Sequence, residues 1–349
     1  MPPRFPELGF YALSGQATDP RPMLTEVRDG DACGFGSVWL SERFDVKEAA
    51  ALAGAATALS DGLGVSVGVT NPHTRHPVLL AALGGTLSSL SGDRFSLGLG
   101  RGIDAVWDRY GMPRIRLEML EDVAALLRRL WAGETIAGHD GPAGRFGTLS
   151  LPQVPASTPP LMLAALGPHA QALGGRAFDG VLLHSHWLDE SVAAAVTRVR
   201  ASAEAAGRDP STIRIWACLV TACDLAEEEV LRRIVARLAG ALRVPGYGEA
   251  IVDGNGIDRE LLSRVRAHPM TTIDELRALR ALCGTWIERG NAIGTPEHCA
   301  QRILDQFSAG ADGVILHGST PAELALVLRT YAERRPPGRF ADRAVNPAR

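Results

Sequence analysis

The stretch VSVGVTNPHTRHPVLLA, Val65 to Ala81, sets Thr70, Asn71, His73, Arg75 and His76 directly after an alternating apolar run of Val65, Val67 and Val69. A hydroxyl, an amide, two imidazoles and a guanidinium at one strand end suit the binding of a polar small molecule and the handling of its protons. The pattern recurs along the chain. Ser41-Glu42-Arg43, Gly100-Arg101-Gly102, Gly167-Pro168-His169, His184-Ser185-His186 and His317-Gly318-Ser319 each close a short apolar run. Glu42 is the carboxylate of this set, able either to move a proton or to pair with Arg43 or Arg75. The glycines in GLGRG (98–102) would let a flat ring approach bare backbone, or would simply form a tight strand exit. They are not a dinucleotide fingerprint, because Ile103 stands at the sixth position, and no Gly-Lys-Ser/Thr makes them a P-loop. Gly167-Pro168 opens a helix whose free N–H groups could hold a phosphate, with the Asp179-Gly180 turn bringing a second loop nearby. His184 and His186 share a strand face. No later series of histidines and an aspartate follows, so a phosphate pocket is expected there rather than a metal.

The elements that position these groups are legible as period. Strands are predicted over 8–14, 37–42, 63–70, 95–100, 160–166, 180–186, 213–221 and 313–319. Each is apolar on both faces, as in a parallel sheet covered outside by helices and packed inside by side chains. Between them lie amphipathic stretches such as 115–132, with Leu117, Leu120, Ala124, Leu127 and Trp131 on one face. Asp19-Pro20 predicts one helix start, and the capping box Thr320-Pro321-Ala322-Glu323 another. Eight strand-then-helix units point to a closed (β/α)8 TIM barrel, with a doubly wound open sheet as the competing fold. In a barrel the active site gathers at the carboxyl ends of the strands, where these polar groups fall. The chain is expected to form a single domain over 1–349, with insertions after strand 4 (134–158) and strand 7 (240–295) and a tail at 334–349.

The 349 residues carry a net charge of −3, with 46% hydrophobic and 21% charged residues. No basic field points to nucleic acid. No apolar run reaches membrane-spanning length, and MPPRFPELGF does not read as a signal peptide. Five scattered cysteines without Cys-x-x-Cys fit reduced thiols, so a cytoplasmic location is expected.

The motifs also carry a likeness. GFGSVWLSERF (34–44), VGVTNPHTRHP (67–77), RFSLGLGRG with EMLEDVAALLRRLWAGE (118–134), AALGPHAQALGGRAFDGVLL and GTPEHCAQRILDQFSAGADGVIL (294–316) span most of residues 8–333. Together they resemble the luciferase-like monooxygenase superfamily of flavin and deazaflavin barrels, and within it the enzymes that use coenzyme F420. The third-strand motif is similar to that of methylenetetrahydromethanopterin reductases. The resemblance implies a non-proline cis peptide at Gly68-Val69, forming a bulge behind the deazaflavin ring, with Thr70 and Asn71 beside it. It implies a phosphate cradle at Leu166, Gly167, Pro168 and His169 with Gly180, Val181 and His184. Glu42 would face the reacting ring, and Gly100 and Arg101 would meet the ring's polar edge. It implies hydride transfer to or from a small organic substrate, and a homodimer. An FMN-dependent monooxygenase and a non-catalytic deazaflavin-binding barrel are the rival readings. Glu42 and Phe44 replace the histidine and tryptophan of the glucose-6-phosphate branch, so that sugar phosphate is not expected.

Overall fold

A computed structural model describes residues 4–13 and 18–349. In chain order the elements are β1 (Phe5–Tyr11), α1 (Pro22–Cys33), β2 (Phe35–Leu40), α2 (Ala49–Leu59), β3 (Gly64–Thr70), α3 (Pro77–Leu90) and β4 (Phe95–Leu99). Then follow α4 (Asp104–Arg109), α5 (Leu117–Trp131), β5 (Ile136–Gly141), β6 (Gly144–Leu149), β7 (Leu161–Ala164), α6 (Pro168–Ala177), β8 (Gly180–Leu182), α7 (Asp189–Ala205) and β9 (Arg214–Cys223). A helical group comes next: α8 (Glu227–Val230), a π-helical turn at Leu231–Val235, α9 (Ala236–Leu242), α10 (Tyr247–Gly254), α11 (Arg259–Ala267), α12 (Ile273–Cys283) and α13 (Thr285–Arg289). The chain closes with β10 (Ala292–Gly294), α14 (Pro296–Ser308), β11 (Gly313–His317) and α15 (Pro321–Arg334).

The strands hydrogen-bond in the order β9-β11-β1-β2-β3-β4-β7-β8, and β8 pairs back to β9, all in parallel. That last ladder closes the sheet, so the (β/α)8 barrel holds and the open doubly wound sheet does not. β10 adds a short strand outside β9, and β5-β6 is an antiparallel hairpin within the 134–158 stretch. The predicted end of the first strand, Ser14, lies outside the described residues. Among those residues, no helix is long and apolar enough to cross a membrane.

Local signals explain the boundaries. Thr320 accepts from the Glu323 N–H while the Glu323 carboxylate accepts from the Thr320 N–H, the reciprocal box that opens α15. The start of α1 falls later than Asp19-Pro20 predicts. Asp19 spends its carboxylate on Arg21, and Pro22 takes the first helical turn.

Side chains fill the barrel rather than a pore. Trp39 and Trp216 meet at 5.1 Å between ring centroids, with Met162, Leu182, Ile315 and Cys218 around them. Glycines admit the two indoles: a Cβ at Gly9 would stand 2.4 Å from Trp39 Nε1, and one at Gly313 2.4 Å from Trp216 Cε3. The floor is closed by residues 345–348. Asn346 Nδ2 donates to the carbonyls of Asp93 and Phe95 at 2.6 and 3.0 Å, at the amino end of β4. Trp216 Nε1 donates to the Pro347 carbonyl at 2.6 Å, and Ala348 is buried among the barrel side chains.

Candidate active site at the barrel mouth

The polar groups that follow β3 turn inward on one another. Thr70 Oγ1 donates to the Glu42 carboxylate, which also accepts from Arg75 Nη1 at 3.0 Å, from Arg75 Nη2, and from the N–H groups of Ala49 (3.3 Å) and Asn71 (3.4 Å). The side chains of Glu42 and Arg75 are 5% and 11% exposed. Asn71 Nδ2 donates to the Gly100 carbonyl at 2.9 Å, tying the exit of β3 to that of β4. These contacts form a brace. A guanidinium fork engages both oxygens of Glu42, so the carboxylate expected to face the reaction stands in an ion pair with Arg75. Its pairing with Arg75 is what the fold uses. Thr70 and Asn71 likewise secure the turn.

The back wall of the mouth comes from β3. The peptide bond between Gly68 and Val69 is cis, and the β3–β4 register shifts between Val67 and Thr70. Val69 keeps a partly exposed side chain where the rest of β3 is buried. Tyr11, at the carboxyl end of β1, donates from Oη to the Gly68 carbonyl at 2.6 Å. The glycines of GLGRG serve this bulge. A Cβ at Gly100 would lie 2.4 Å from Val69 Cγ2, and one at Gly98 2.3 Å from the Val67 carbonyl oxygen and 3.0 Å from Val69 Cγ1. Bare backbone there seats Val69. Arg101 points away, donating from Nε to the Ile115 carbonyl at 2.9 Å with its side chain half exposed.

The expected phosphate cradle is only partly assembled. Gly167 precedes α6, whose first turn has no side-chain cap, and a Cβ at Gly167 would meet nothing within 4 Å. Leu166 and Gly167 are half-buried at that rim, and Pro168 and His169 are exposed. His169 lines an outer groove with Leu117, Glu118, Ala172 and Arg176. Gly180 and Val181 do not join them. They open β8, so they stand toward the floor of the barrel, and Val181 packs outward against Gly174 of α6. The resemblance sets them at the phosphate, within a strand expected to run over 180–186. The strand stops at Leu182 and the rim begins at His184.

Side chains from β1, β11, α9, α10 and the loop after β8 converge on the mouth. His184 Nδ1 faces the Ser185 carbonyl at 2.8 Å and so carries the ring proton, leaving Nε2 to accept from Tyr247 Oη at 2.5 Å. Tyr247 begins α10, in the helical group after β9. Arg237 of α9 donates from Nη1 to His317 Nε2 at 3.1 Å, and His317 stacks near Tyr11 with ring centroids 4.8 Å apart. Burial lowers the imidazoles: His184 to about 4, His186 to about 3, and His317 well below its ordinary value, with Arg237 adding to the depression at each. Burial also pushes Tyr247 up to about 12 and Tyr11 well above its usual value. The imidazoles and hydroxyls of the mouth are therefore neutral hydrogen-bonding groups at ordinary pH, beside the Arg237 cation. His186 is fully buried, and its ring makes no well-formed hydrogen bond, although Asn291 lies close enough to bias it. Among the described residues, no three His, Cys, Asp or Glu side chains gather to hold a metal ion.

A family model described as luciferase-like monooxygenase matches residues 7–335. The chain belongs to the luciferase-like monooxygenase family. Within known proteins it is 28% identical over 288 residues to a 5,10-methylenetetrahydromethanopterin reductase of Methanolobus tindarius, covering 81% of this chain and 85% of that one. It is 37% identical over 151 residues to an F420-dependent hydroxymycolic acid dehydrogenase of Mycobacterium tuberculosis, covering 42% of this chain and 41% of that one. Its fold superposes on the coenzyme F420-dependent tetrahydromethanopterin reductase from Methanopyrus kandleri with a TM-score of 0.79 at 20% identity, covering 94% of this chain and 99% of that one. An F420-dependent secondary alcohol dehydrogenase follows at 0.70 and 19%, covering 93% and 97%.

Against this family background, the mouth residues that sequence reasoning missed are Tyr11, Arg237 and Tyr247. Tyr11 was within reach: it shares the inward face of β1 with Gly9, two positions before it. Arg237 and Tyr247 carried no local signal, because only the packing of α9 and α10 over the rim brings them there.

Proposed function

We propose that this chain is an F420-dependent oxidoreductase that passes a hydride between C5 of the deazaflavin and a small organic substrate. The observation that carries the reading is the apolar seat at Val69, cleared by Gly98 and Gly100 and faced by neutral donors and acceptors from β1, β8, β11 and α10. Such a surface suits a planar uncharged ring better than a metal or a nucleophile. The F420 dependence of the mycobacterial relative and of the two superposed enzymes supports the choice of cofactor.

When bound, the deazaflavin supplies a carbon that takes or gives a hydride in one step. Val69 backs its ring, and the uncapped first turn of α6 after Gly167 offers N–H groups to its phosphate. His184 and Tyr247 hold one proton between Nε2 and Oη, beside the place where a substrate oxygen or nitrogen must gain or lose one. The helices after β9 roof the mouth and keep water out. In this reading residues 134–158 and 240–295 are outgrowths of one barrel domain, 334–349 is its tail, and the working form is a cytoplasmic homodimer.

Titration of the purified protein with F420, FMN and NADPH, followed by deazaflavin fluorescence and flavin absorbance, tests the reading. Micromolar F420 binding with no FMN retention is expected. Tight FMN binding with oxidation of the reduced flavin by O2 would overturn it.

A further inference from the structure

Many guanidinium groups in this protein hold a carboxylate. Arg75 has Glu42 and Glu48, Arg302 has Asp189 and Asp305, Arg335 has Glu7, and Arg233 on the π-turn has Glu229 and Glu323. One helical turn beyond Arg233, Arg237 breaks the pattern. It reaches only the Arg233 carbonyl at 3.3 Å and His317 Nε2 at 3.1 Å, with no carboxylate among the described residues at salt-bridge distance. Arg43, at the exit of β2, is a second such case at this end of the barrel, whereas Arg94, Arg198, Arg243 and Arg339 hold backbone carbonyls or an amide elsewhere. The Arg43 side chain makes no ion pair among the described residues, and its Nε is buried without a hydrogen-bond partner. Arg214 also lacks a close acid, but it opens β9 at the floor, where Asp312 offsets its charge at longer range.

We propose that Arg43 and Arg237 form an oxyanion subsite at the barrel mouth, and that the substrate presents a carboxylate or phosphate to it. The inference rests on the oxidoreductase reading above and adds the chemical class of the substrate. Arg237 meets His317 Nε2 at the carboxyl end of β11, two strands from the end of β2 that carries Arg43, and the positive charges of both bear on His184 and His317. The titratable groups around Arg237 bring no counter-charge: burial raises the Cys218 thiol and the Tyr247 hydroxyl each to about 12 and keeps the His317 imidazole unprotonated. Lys47, held by the Leu13 carbonyl at 2.7 Å and by the field of Glu26, adds a third positive charge, lowered by burial to about 8. Two half-buried like charges without a counter-charge oppose folding, and an incoming oxyanion removes that cost while filling a planar fork of donors. Arg43 and Arg237 share the mouth with Tyr247 and His184, so an anion anchored there leaves the remainder of a small substrate beside the proton-holding pair.

The thermal midpoint of the F420-loaded protein is measured against rising inorganic phosphate and, separately, acetate, with chloride at matched ionic strength as reference. Wild type is expected to gain stability with one of the two over chloride; phosphate alone or acetate alone assigns the substrate group. In R43Q R237Q the half-saturating anion concentration should rise at least tenfold. It should not move in R232Q, an exposed arginine on the same helical segment. F420 affinity, read by fluorescence, should stay within twofold. Without anion, R237Q should melt no lower than wild type, because it loses an uncompensated charge; a sharp fall there marks a structural arginine and overturns the proposal. So does an anion response that survives in R43Q R237Q, one absent from wild type, or F420 affinity that falls in step with it. If the protein binds no F420, the cofactor reading fails, and the same anion series on the protein alone still decides the subsite.

Discussion

Glu42 shows how one carboxylate can be spent on architecture at the edge of a reaction site. Its pair with Arg75 is nearly dry, and removing one member of such a pair leaves a stranded charge. Glu48 also holds Arg75, so E42Q should lower the free energy of unfolding by only about 2 kcal/mol, checked by the urea midpoint. Turnover per folded molecule should fall less than tenfold. A hundredfold loss with an unchanged midpoint would return Glu42 to the chemistry. Gly100 makes the complementary case for space. Its added methyl would press on Val69 at 2.4 Å, so G100A should cost about 1–3 kcal/mol and weaken F420 binding in fluorescence titration. G100A V69A should recover most of both, because the smaller side chain vacates the overlap.

Elements decide which residues meet at all. α10 carries Tyr247 over the end of β8, and Y247F should reduce kcat about a hundredfold in steady-state assays while leaving F420 affinity unchanged. An unaltered kcat would remove the His184–Tyr247 pair from the mechanism. The same elements explain what could be read in advance. Strand period, the capping box at Thr320 and the apolar helix faces are local properties, so eight strands and their closure were legible. The motif after β3 was legible as a site, and pairing with Arg75 as one of two roles open to Glu42, because which of them holds depends on how two loops dock. The strand expected over 180–186 stops at Leu182, since strand ends are the least determined feature of a sequence. The partners from α9 and α10 had no local code.

At the scale of the molecule, burial governs the response to acid. His186 is fully buried with its pKa depressed to about 3, below its value in the unfolded chain. The unfolded state therefore takes up a proton first as pH falls. Stability due to this group is complete above about pH 6.5 and declines toward pH 3, with a slope approaching about 1.4 kcal/mol per pH unit. Urea midpoints across that window should trace the decline, and H186N, which tolerates the positive φ of 64° there, should flatten it. The floor offers a second global test. Removing residues 345–349 takes away the partners of Trp216 Nε1 and of the Asp93 and Phe95 carbonyls, and should lower stability by about 3 kcal/mol in the same assay.

That floor also sets a direction. Arg349 is exposed, with its guanidinium on the Thr158 carbonyl just before β7. A fluorophore or a surface tether fixed at Arg349 would stand a full barrel height from Tyr247, so an immobilised preparation would keep its entrance toward the bulk solution.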